Sequence, residues 1–276
     1  MAKIIDHDSV QAFQSYNERY ISENPLLTKL LSNCLDGIFA KKIKPIDGFN
    51  IASKGGHLVV LITDVGICLI FGNNCSSGIL EMISERIQQS VQFHKMCVAG
   101  SKNLIEELMR FNKLTYTLEK FRIHYQCKKV NVFEYASGKM TYLDENKIEL
   151  YTDLGLGLSQ SYNDGMAVNE DLMRSSILTS IKCKNIFQWV DNNEVCSICR
   201  GHIIEEIPTI DFFYTPESKR GLRYGTSLVH KITSNLLRDE VDSCFLTADG
   251  NNPKSNSIFQ KIGYQKISEY LKVVVD

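Results

Sequence analysis

The segment 212–232 constrains the fold of this chain more than any other part of the sequence. It reads FFYTPESKRGLRYGTSLVHKI, an apolar strand followed by a polar loop with Gly221 and Gly225 and then an amphipathic helix. The first turn of such a helix carries backbone N–H groups without intrahelical partners, at the positive end of the helix dipole. This arrangement predicts an anion site of the kind that holds a pyrophosphate.

Composition and charge narrow the class of protein. The chain has 276 residues, 43% of them hydrophobic, and a formal net charge of -1, which argues against nucleic acid or a membrane as a partner. No apolar run approaches the roughly 20 residues that span a bilayer. The N-terminal residues lack the layout of a signal peptide, and nine cysteines without one suggest reduced thiols. We therefore expect a cytoplasmic protein.

Hydrophobic periodicity predicts alternating helices and strands. In the first half, helices are predicted at 26–39, 79–91 and 103–111, and strands at 58–62, 67–71, 96–99 and 121–125. In the second half, the glycine-bearing segment 153–165 reads as a loop, and helices are predicted at 166–180, 226–232 and 253–262. Strands are predicted there at 185–190, 195–201, 209–215, 243–248 and 267–275.

This order favours an α/β fold with a mixed sheet and helices on both of its faces. The second half runs through hairpin-like strands into strand–helix alternation, and the first half shows a looser form of the same alternation. We therefore expect two domains of related architecture, 1–135 and 136–276, although no internal repeat is visible in the sequence.

Two motifs resemble the GNAT superfamily, the acyl-CoA-dependent N-acyltransferases. RGLRYG, at 220–225, is similar to the family's loop Q/R-x-x-G-x-G/A, and NPKSNSIFQKIGY, at 252–264, is similar to its second signature. The resemblance covers roughly residues 180 to 276. It implies a GNAT fold, with 136–276 as the acetyl-CoA-binding domain and 1–135 as a degenerate GNAT-like half.

The resemblance also implies where the cofactor, acetyl-CoA, binds. The strand end would hold the pantetheine arm, the loop amides would hold the pyrophosphate, and Asn252 would steady the pantetheine. The implied cofactor-binding residues are Phe213, Tyr214, Thr215, Arg220, Gly221, Leu222, Arg223, Tyr224, Gly225, Thr226, Asn252, Ser255, Asn256 and Phe259.

Two positions depart from the family pattern. Arg223 replaces the middle glycine of the loop, which is tolerable at negative φ and strained at positive φ. Phe259 stands where many members have a tyrosine whose hydroxyl protonates the departing thiolate. Either another group does this, with Tyr264, Tyr224 and Ser255 as candidates, or the thiolate leaves without help.

A base or a water relay would help to keep the attacking amine neutral. The acids on or before the strand that leads to the loop are Glu205, Glu206 and Asp211. Glu206 is the first candidate and Asp211 the second, beside the alternative that both are merely solvated. With Tyr264 they complete the set of predicted catalytic residues.

Other reactive residue types read as structural. Cys196 and Cys199 form a single CxxC in a strand-like run, which favours buried thiols over a zinc or redox site. His202 and His230 lie near the predicted site but fit no metal motif, so we expect no metal.

The sequence thus predicts an N-acetyltransferase that transfers an acetyl group from acetyl-CoA to a primary amine of a small molecule or peptide, by direct attack. The expected partners are that acceptor and a possible second copy of the chain. The alternative is a CoA-binding regulatory or scaffold protein with little or no turnover. A third hypothesis, an aminoacyl transferase, would need a groove for charged tRNA, against which the net charge argues.

Overall fold

The computed structural model describes residues 2–54, 56–161, 169–204, 206–238 and 241–276. The chain forms two compact units: Met1–His124 with Ser268–Asp276, and Tyr125–Ile267. Within the described ranges, no helix combines the length and the apolar character that a membrane span requires.

In the described residues of the first unit, four helices pack on a mixed sheet. The first helix begins after Ser9, whose Oγ accepts a hydrogen bond from the Ala12 N–H at 3.1 Å and so caps the helix. The elements, in chain order, are β1 (Lys3–Asp6), α1 (Val10–Glu23), α2 (Lys29–Phe39), β2 (Pro45–Ser53), β3 (Gly56–Thr63), β4 (Ile67–Phe71), α3 (Ser77–Ser90), β5 (Cys97–Ser101), α4 (Lys102–Phe111) and β6 (Tyr116–Cys127), which continues into the second unit.

Both faces of this sheet are buried. Leu58, Val60 and Ile62 of β3 belong to the hydrophobic cluster that includes α3 and α4, whereas Val59 and Leu61 belong to the cluster that includes α1 and α2. Successive side chains of a strand point to opposite faces, so an uninterrupted apolar run is what a strand covered on both sides requires. The predicted strands at 58–62 and 67–71 are confirmed.

The two parallel strands of the first unit, β4 and β5, are hydrogen-bonded neighbours. β4 and β5 are in register over four residues, from Ile67↔Cys97 to Ile70↔Gly100. On its other edge, β5 pairs antiparallel with residues 270–274, from Tyr270↔Ser101 to Val274↔Cys97. The first unit therefore completes its sheet with residues that follow the whole second unit in sequence.

The second unit repeats this order of elements. Its elements are β7 (Lys139–Tyr142), α5 (Ile148–Ser161), α6 (Glu170–Lys182), β8 (Ile186–Asp191), β9 (Glu194–Ile204), β10 (Ile207–Tyr214), α7 (Tyr224–Leu236), β11 (Cys244–Asp249), α8 (Pro253–Ile262) and the start of β12 (Gln265–Val275). The strand order β7-β8-β9-β10-β11 matches β1-β2-β3-β4-β5, and in each unit the fourth and fifth strands are parallel. The architecture is the mixed α/β fold that the sequence predicts.

The predicted loop at 153–165 is wrong over its described part, because α5 continues to Ser161. The remaining positions, 162–165, lie outside the described residues, as does the start of the helix predicted at 166–180. Gly155 and Gly157 suggested a loop, yet they allow close packing: a Cβ at Gly155 would lie 2.6 Å from Met173 Sδ, and one at Gly157 would lie 2.7 Å from the Tyr214 hydroxyl. Tertiary contact, which composition does not show, decides the helix here.

Because His124 of the first unit is buried, we expect the stability of the protein to decrease in acid. His124 is 4% exposed, its Nδ1 lies 2.8 Å from Ser268 Oγ, and burial lowers its pKa from 6.5 to about 4. Because the pKa of His124 is lower in the folded than in the unfolded chain, protonation favours the unfolded chain. The contribution of neutral His124 to the free energy of unfolding is therefore fully present above pH 6.5, and it is lost as the pH falls towards 4, by up to about 3 kcal/mol.

Urea unfolding at a series of pH values measures this effect. We expect the decrease in the free energy of unfolding between pH 6.5 and 4 to be smaller in His124→Gln and unchanged in the matched control His94→Gln, which replaces an exposed histidine. Burial also lowers the pKa of His57, so some pH dependence remains in His124→Gln. An identical slope in both variants would contradict the prediction.

Candidate active site

A cleft opens where β10 separates from β11. The two parallel strands are in register only at Thr209↔Phe245 and Ile210↔Leu246, whereas β10 continues to pair with β9 as far as Tyr214↔Ile198. Beyond Ile210, the edge of β10 that faced β11 therefore has no strand partner among the described residues. A cavity of about 780 Å³ lies here, lined by residues 210–214 of β10, by Thr215 directly after it and by residues 246–249 of β11.

A β-bulge shapes the β10 side of the cleft. The register with β9 shifts between Asp211 and Tyr214, and Phe212 has a φ of 50°. A bulge inserts one residue and re-aims the side chains that follow it. Accordingly, the Tyr214 hydroxyl lies against Gly157 of α5, whereas the Phe213 ring lies against Gly225 of α7.

The loop before α7 supplies unpaired backbone donors. Gly221 has a φ of 81° and Arg223 a φ of 65°, and α7 begins at Tyr224. Within the described residues, the N–H groups of 221–226 have no acceptor. A helix N-terminus with free N–H groups favours a bound anion, as the sequence predicts.

Of the two backbone conformations considered for Arg223, negative φ and positive φ, the residue adopts the strained one with positive φ. Its φ of 65° and ψ of 1° lie in the left-handed region, which costs a non-glycine residue about 1 kcal/mol. Its guanidinium lies 3.1 Å from a carboxylate oxygen of Glu134. Because this ion pair is exposed, it offsets little of that strain.

Positive charge predominates around the cavity. Its lining contains the cations Lys219, Arg220, Arg223, Lys254 and Lys261 and the acids Asp211 and Asp249. Arg220 donates a hydrogen bond from Nε to the Thr215 carbonyl at 3.0 Å, and Lys219 forms an ion pair with Glu194. The cavity is thus suited to a ligand with several negative charges.

The second motif holds the start of α8 against β11. Asn252 accepts a hydrogen bond from the Ser255 N–H at 3.1 Å, and Pro253 occupies the first helical turn. Asn256 is buried and donates to the Asp249 carbonyl at 2.9 Å, while the Tyr125 hydroxyl donates to its Oδ1 at 3.1 Å. Asn256 therefore supports the fold and does not line the cavity.

The structure brings the other predicted cofactor residues together. Apart from Asn256 and Leu222, which is 54% exposed, all of them line the cavity. Phe259 is 5% exposed and its ring lies near those of Phe213, Tyr264 and Tyr125, with centroids 6.0 to 6.2 Å apart.

Of the predicted catalytic residues, Asp211 alone lines the cavity. Its Oδ1 accepts from Arg200 Nε at 2.6 Å, and its Oδ2 lies 3.0 Å from Arg200 Nη2 and 3.2 Å from His202 Nε2. Burial raises the pKa of this carboxyl, but the hydrogen bonds from His202 and Arg200 outweigh burial, so the pKa of Asp211 is below its ordinary value. A base works best with a pKa near the operating pH, so this shift makes Asp211 a weaker one.

The structure does not bring Glu206 or Tyr264 to the cavity. Glu206 lies in the turn between β9 and β10, at the end of β10 remote from Phe213, and Glu205 lies outside the described residues. Tyr264 is 2% exposed, and its hydroxyl bonds Thr233 Oγ1 at 2.9 Å and Cys244 Sγ at 3.3 Å. Burial raises the pKa of Tyr264 well above its ordinary value.

Tyr224 and Ser255, the other acid candidates, both line the cavity. The Tyr224 hydroxyl donates to Asp191 Oδ2 at 2.7 Å, and this bond raises the pKa of Tyr224. Of the residues read as structural, Cys196 and Cys199 are buried on β9, as predicted, and His230 is buried on α7 with Nδ1 2.9 Å from the Tyr135 hydroxyl.

Sequence reasoning missed the α5 side of the cavity and the residue that holds Asp211. Leu158 and Ser161 of α5 line the cavity, and Arg200 on β9 pairs with Asp211. A signal for α5 was present, since its buried residues Ile148, Tyr151, Gly155 and Leu158 are spaced as on one face of a helix. No pattern in the sequence indicates the partner of Arg200.

Comparison with known proteins finds one family model and solved structures of similar fold. The family described as FR47-like protein matches residues 190–273. An acetyltransferase from the GNAT family of Colwellia psychrerythraea is 13% identical, covers 100% of both chains and gives a TM-score of 0.55. A GCN5-related N-acetyltransferase from Sphaerobacter thermophilus is 12% identical, covers 82% of this chain and 79% of that one, and gives a TM-score of 0.53. The search of curated proteins gave no match. At these identities the likeness to solved structures is one of fold.

Proposed function

We propose that this chain is an acyltransferase of the GNAT superfamily, whose fold it shares, and that it transfers an acetyl group from acetyl-CoA to a primary amine. The observation that carries the proposal is the juxtaposition at the end of β10. An unpaired strand edge, the unpaired N–H groups of 221–226 and a cation-rich lining meet in one cavity. A pantetheine arm with an adjoining pyrophosphate needs this combination.

The residues present fit such a ligand. The edge of β10 beyond Ile210 has no strand partner among the described residues and can pair with the amides of a pantetheine arm, and the N–H groups of 221–226 offer donors to a pyrophosphate. Lys254 and Lys261 form no ion pair with a described residue and are available to a further phosphate. Gly225 allows the start of α7 to lie close to the end of β10, because a Cβ there would lie 2.5 Å from Thr215 Oγ1.

The proposed reaction needs little from the protein beyond positioning. Acetyl-CoA supplies an activated acyl group, whose thiolate is a good leaving group. The neutral amine forms the new C–N bond as the C–S bond breaks, and the amine proton passes to solvent. Backbone N–H groups near Phe213 stabilise the developing negative charge on the carbonyl oxygen, and the cleft holds the two reactants in line.

Phe259 is consistent with a reaction that proceeds without a general acid. Its buried ring carries no proton to donate, and burial keeps the Tyr264 hydroxyl in its bonds to Thr233 and Cys244. With Asp211 held by Arg200 and His202, we propose that proton transfer from the amine uses water rather than a carboxylate of the described residues.

Titration calorimetry tests the binding step. We expect one acetyl-CoA per chain with a dissociation constant below about 1 mM, the upper end of the usual range for substrates of enzymes. Raising the salt concentration should weaken binding, because the cations of the lining contribute to it. An absence of binding at millimolar ligand would refute the proposal.

One observation favours the second candidate function, which is CoA binding without turnover. Phe259 lines the cavity next to Phe213, and its ring has no hydroxyl that could donate a proton. A thiol-release assay with a panel of primary amines separates the two functions. Turnover by the wild type supports the enzyme. Binding without turnover, with release of thiol gained in Phe259→Tyr, supports the second candidate.

We further propose that residues 1 to about 135, which contain most of the first unit, are a degenerate half of the same architecture. Its elements follow the order found in the second unit. Its parallel strands, however, remain paired through Ile70↔Gly100, so they form no equivalent cleft over that length. A stoichiometry of two acetyl-CoA molecules per chain would contradict this proposal.

A further inference from the structure

Phe212 is held in a conformation that it would not adopt unaided. Its φ of 50° lies in the left-handed region, where a bulky residue is strained. Such strain persists only where surrounding contacts impose it, and it concentrates at functional sites. The contacts around Phe212 therefore indicate what maintains the bulge.

Arg200 contributes to these contacts, beside the hydrophobic cluster of Tyr151, Ile177 and Ile198 against which the Phe212 ring packs. It faces Asp211 across the β9–β10 ladder, in the last register before the bulge, and binds that carboxylate with Nε at 2.6 Å and Nη2 at 3.0 Å. Its guanidinium carbon lies 5.6 Å from the centre of the Phe212 ring, and its Nη1 donates to Ser180 Oγ at 3.2 Å. One side chain thus ties together β9, the two residues at the start of the bulge and α6.

Helix α5 limits the Phe212 ring as well. A Cβ at Gly155 would lie 3.0 Å from Phe212 Cζ, so the ring already touches the helix backbone. With Arg200 on the ring and α5 in contact with it, the ring has little freedom to relax. If Phe212 relaxed to an extended conformation, the bulge would be lost and the pairing with β9 would shift by one residue. The side chains of 213–215 would then point to the opposite faces of the sheet.

We propose that Arg200, acting with Asp211, is a positioning residue: through Phe212 it maintains the bulge that aims the backbone N–H groups near Phe213 at the thioester carbonyl of the acyl donor. This inference rests on the proposed function. It assigns Asp211 to the support of the bulge rather than to proton transfer. Arg200 itself does not line the cavity, so it acts through its neighbours.

Comparing two ligands tests the proposed hydrogen bond between the backbone N–H groups near Phe213 and the thioester carbonyl. Acetyl-CoA has the thioester carbonyl, whereas S-ethyl-CoA is a thioether of similar size without the carbonyl oxygen. We expect the wild type to bind acetyl-CoA about 3- to 10-fold more tightly than S-ethyl-CoA, the ratio that one net hydrogen bond provides. In Arg200→Met this ratio should fall to about 1, while the affinity for S-ethyl-CoA should stay within about 2-fold of the wild type.

Conservative variants complete the comparison. Arg200→Lys keeps a cation beside Phe212 but loses the two-pronged bond to Asp211, so it should restore part of the ratio. If Arg200→Met does not fold, the same two affinities are measured for Asp211→Asn. This substitution keeps the shape of the side chain and removes its charge.

Three results would overturn the proposal. An unchanged ratio in a folded Arg200→Met or Asp211→Asn would show that the bulge does not depend on this pair. An equal loss of both ligands would show that Arg200 merely supports the fold. A wild type that binds neither ligand would refute the proposed function, and the positioning role with it.

Discussion

Gly100→Ala should destabilise the protein by at least about 3 kcal/mol, the largest effect on stability that we expect from a single methyl group. A Cβ at this position would lie 1.8 Å from the Ile70 carbonyl oxygen, and the φ of Gly100 is 145°. The obstructing atom belongs to the backbone of the neighbouring strand, so no side chain can move aside. Either β4 and β5 separate or Gly100 changes its conformation.

Urea unfolding followed by circular dichroism measures the effect. Gly66→Ala is the matched control, because Gly66 also has a positive φ, of 75°, but a Cβ there has nothing within 4 Å. This control should lose only about 1 kcal/mol, the cost of backbone strain. If the two variants lost the same stability, the packing of β5 against β4 would not be as close as the structure shows.

Gly225→Ala should weaken acetyl-CoA binding by at least about 10-fold while the protein stays folded. The new Cβ would lie 2.5 Å from Thr215 Oγ1 and 2.8 Å from Phe213 Cζ, so both side chains must shift. Both line the cavity, and Thr215 also bonds Ser197. Alanine suits a helix better than glycine, which limits the loss of overall stability.

Gly78→Ala provides a closely matched control for Gly225→Ala. Gly78 is the second residue of α3, as Gly225 is the second residue of α7, and a Cβ at Gly78 has nothing within 4 Å. Calorimetry should give an unchanged dissociation constant for Gly78→Ala. Tight binding by Gly225→Ala would mean that the ligand does not depend on the close approach of α7 to β10.

The parts of the fold that could be predicted are those that local sequence specifies. β3 and β4 contain continuous apolar runs, and α8 begins at Pro253 directly after its N-cap Asn252, which are local signals. The loop predicted to bind an anion belongs to the same class, because Gly221 and the start of α7 are neighbours in sequence. Nearly all of the predicted cofactor residues therefore line one cavity.

The parts that could not be predicted depend on contacts between distant residues. Gly155 and Gly157 lie in a helix, and Met173, Phe212 and Tyr214 pack too closely against them for a larger side chain. Asp211 has its pKa lowered by partners on another strand, His202 and Arg200. Tyr264 lies at the end of a recognisable motif, yet its hydroxyl bonds Thr233 and Cys244 in the interior. Sequence spacing specifies none of these partners.

The pairing of β5 with residues 270–274 has a consequence for synthesis on the ribosome. When Ser101 emerges, its partner Tyr270 has not yet been translated, so nascent β5 has an open edge while the entire second unit is made. Open strand edges recruit other chains, and partners distant in sequence form slowly. The unit that is translated first is thus completed last, and stalled chains that lack residues 268–276 should be the species on which chaperones act.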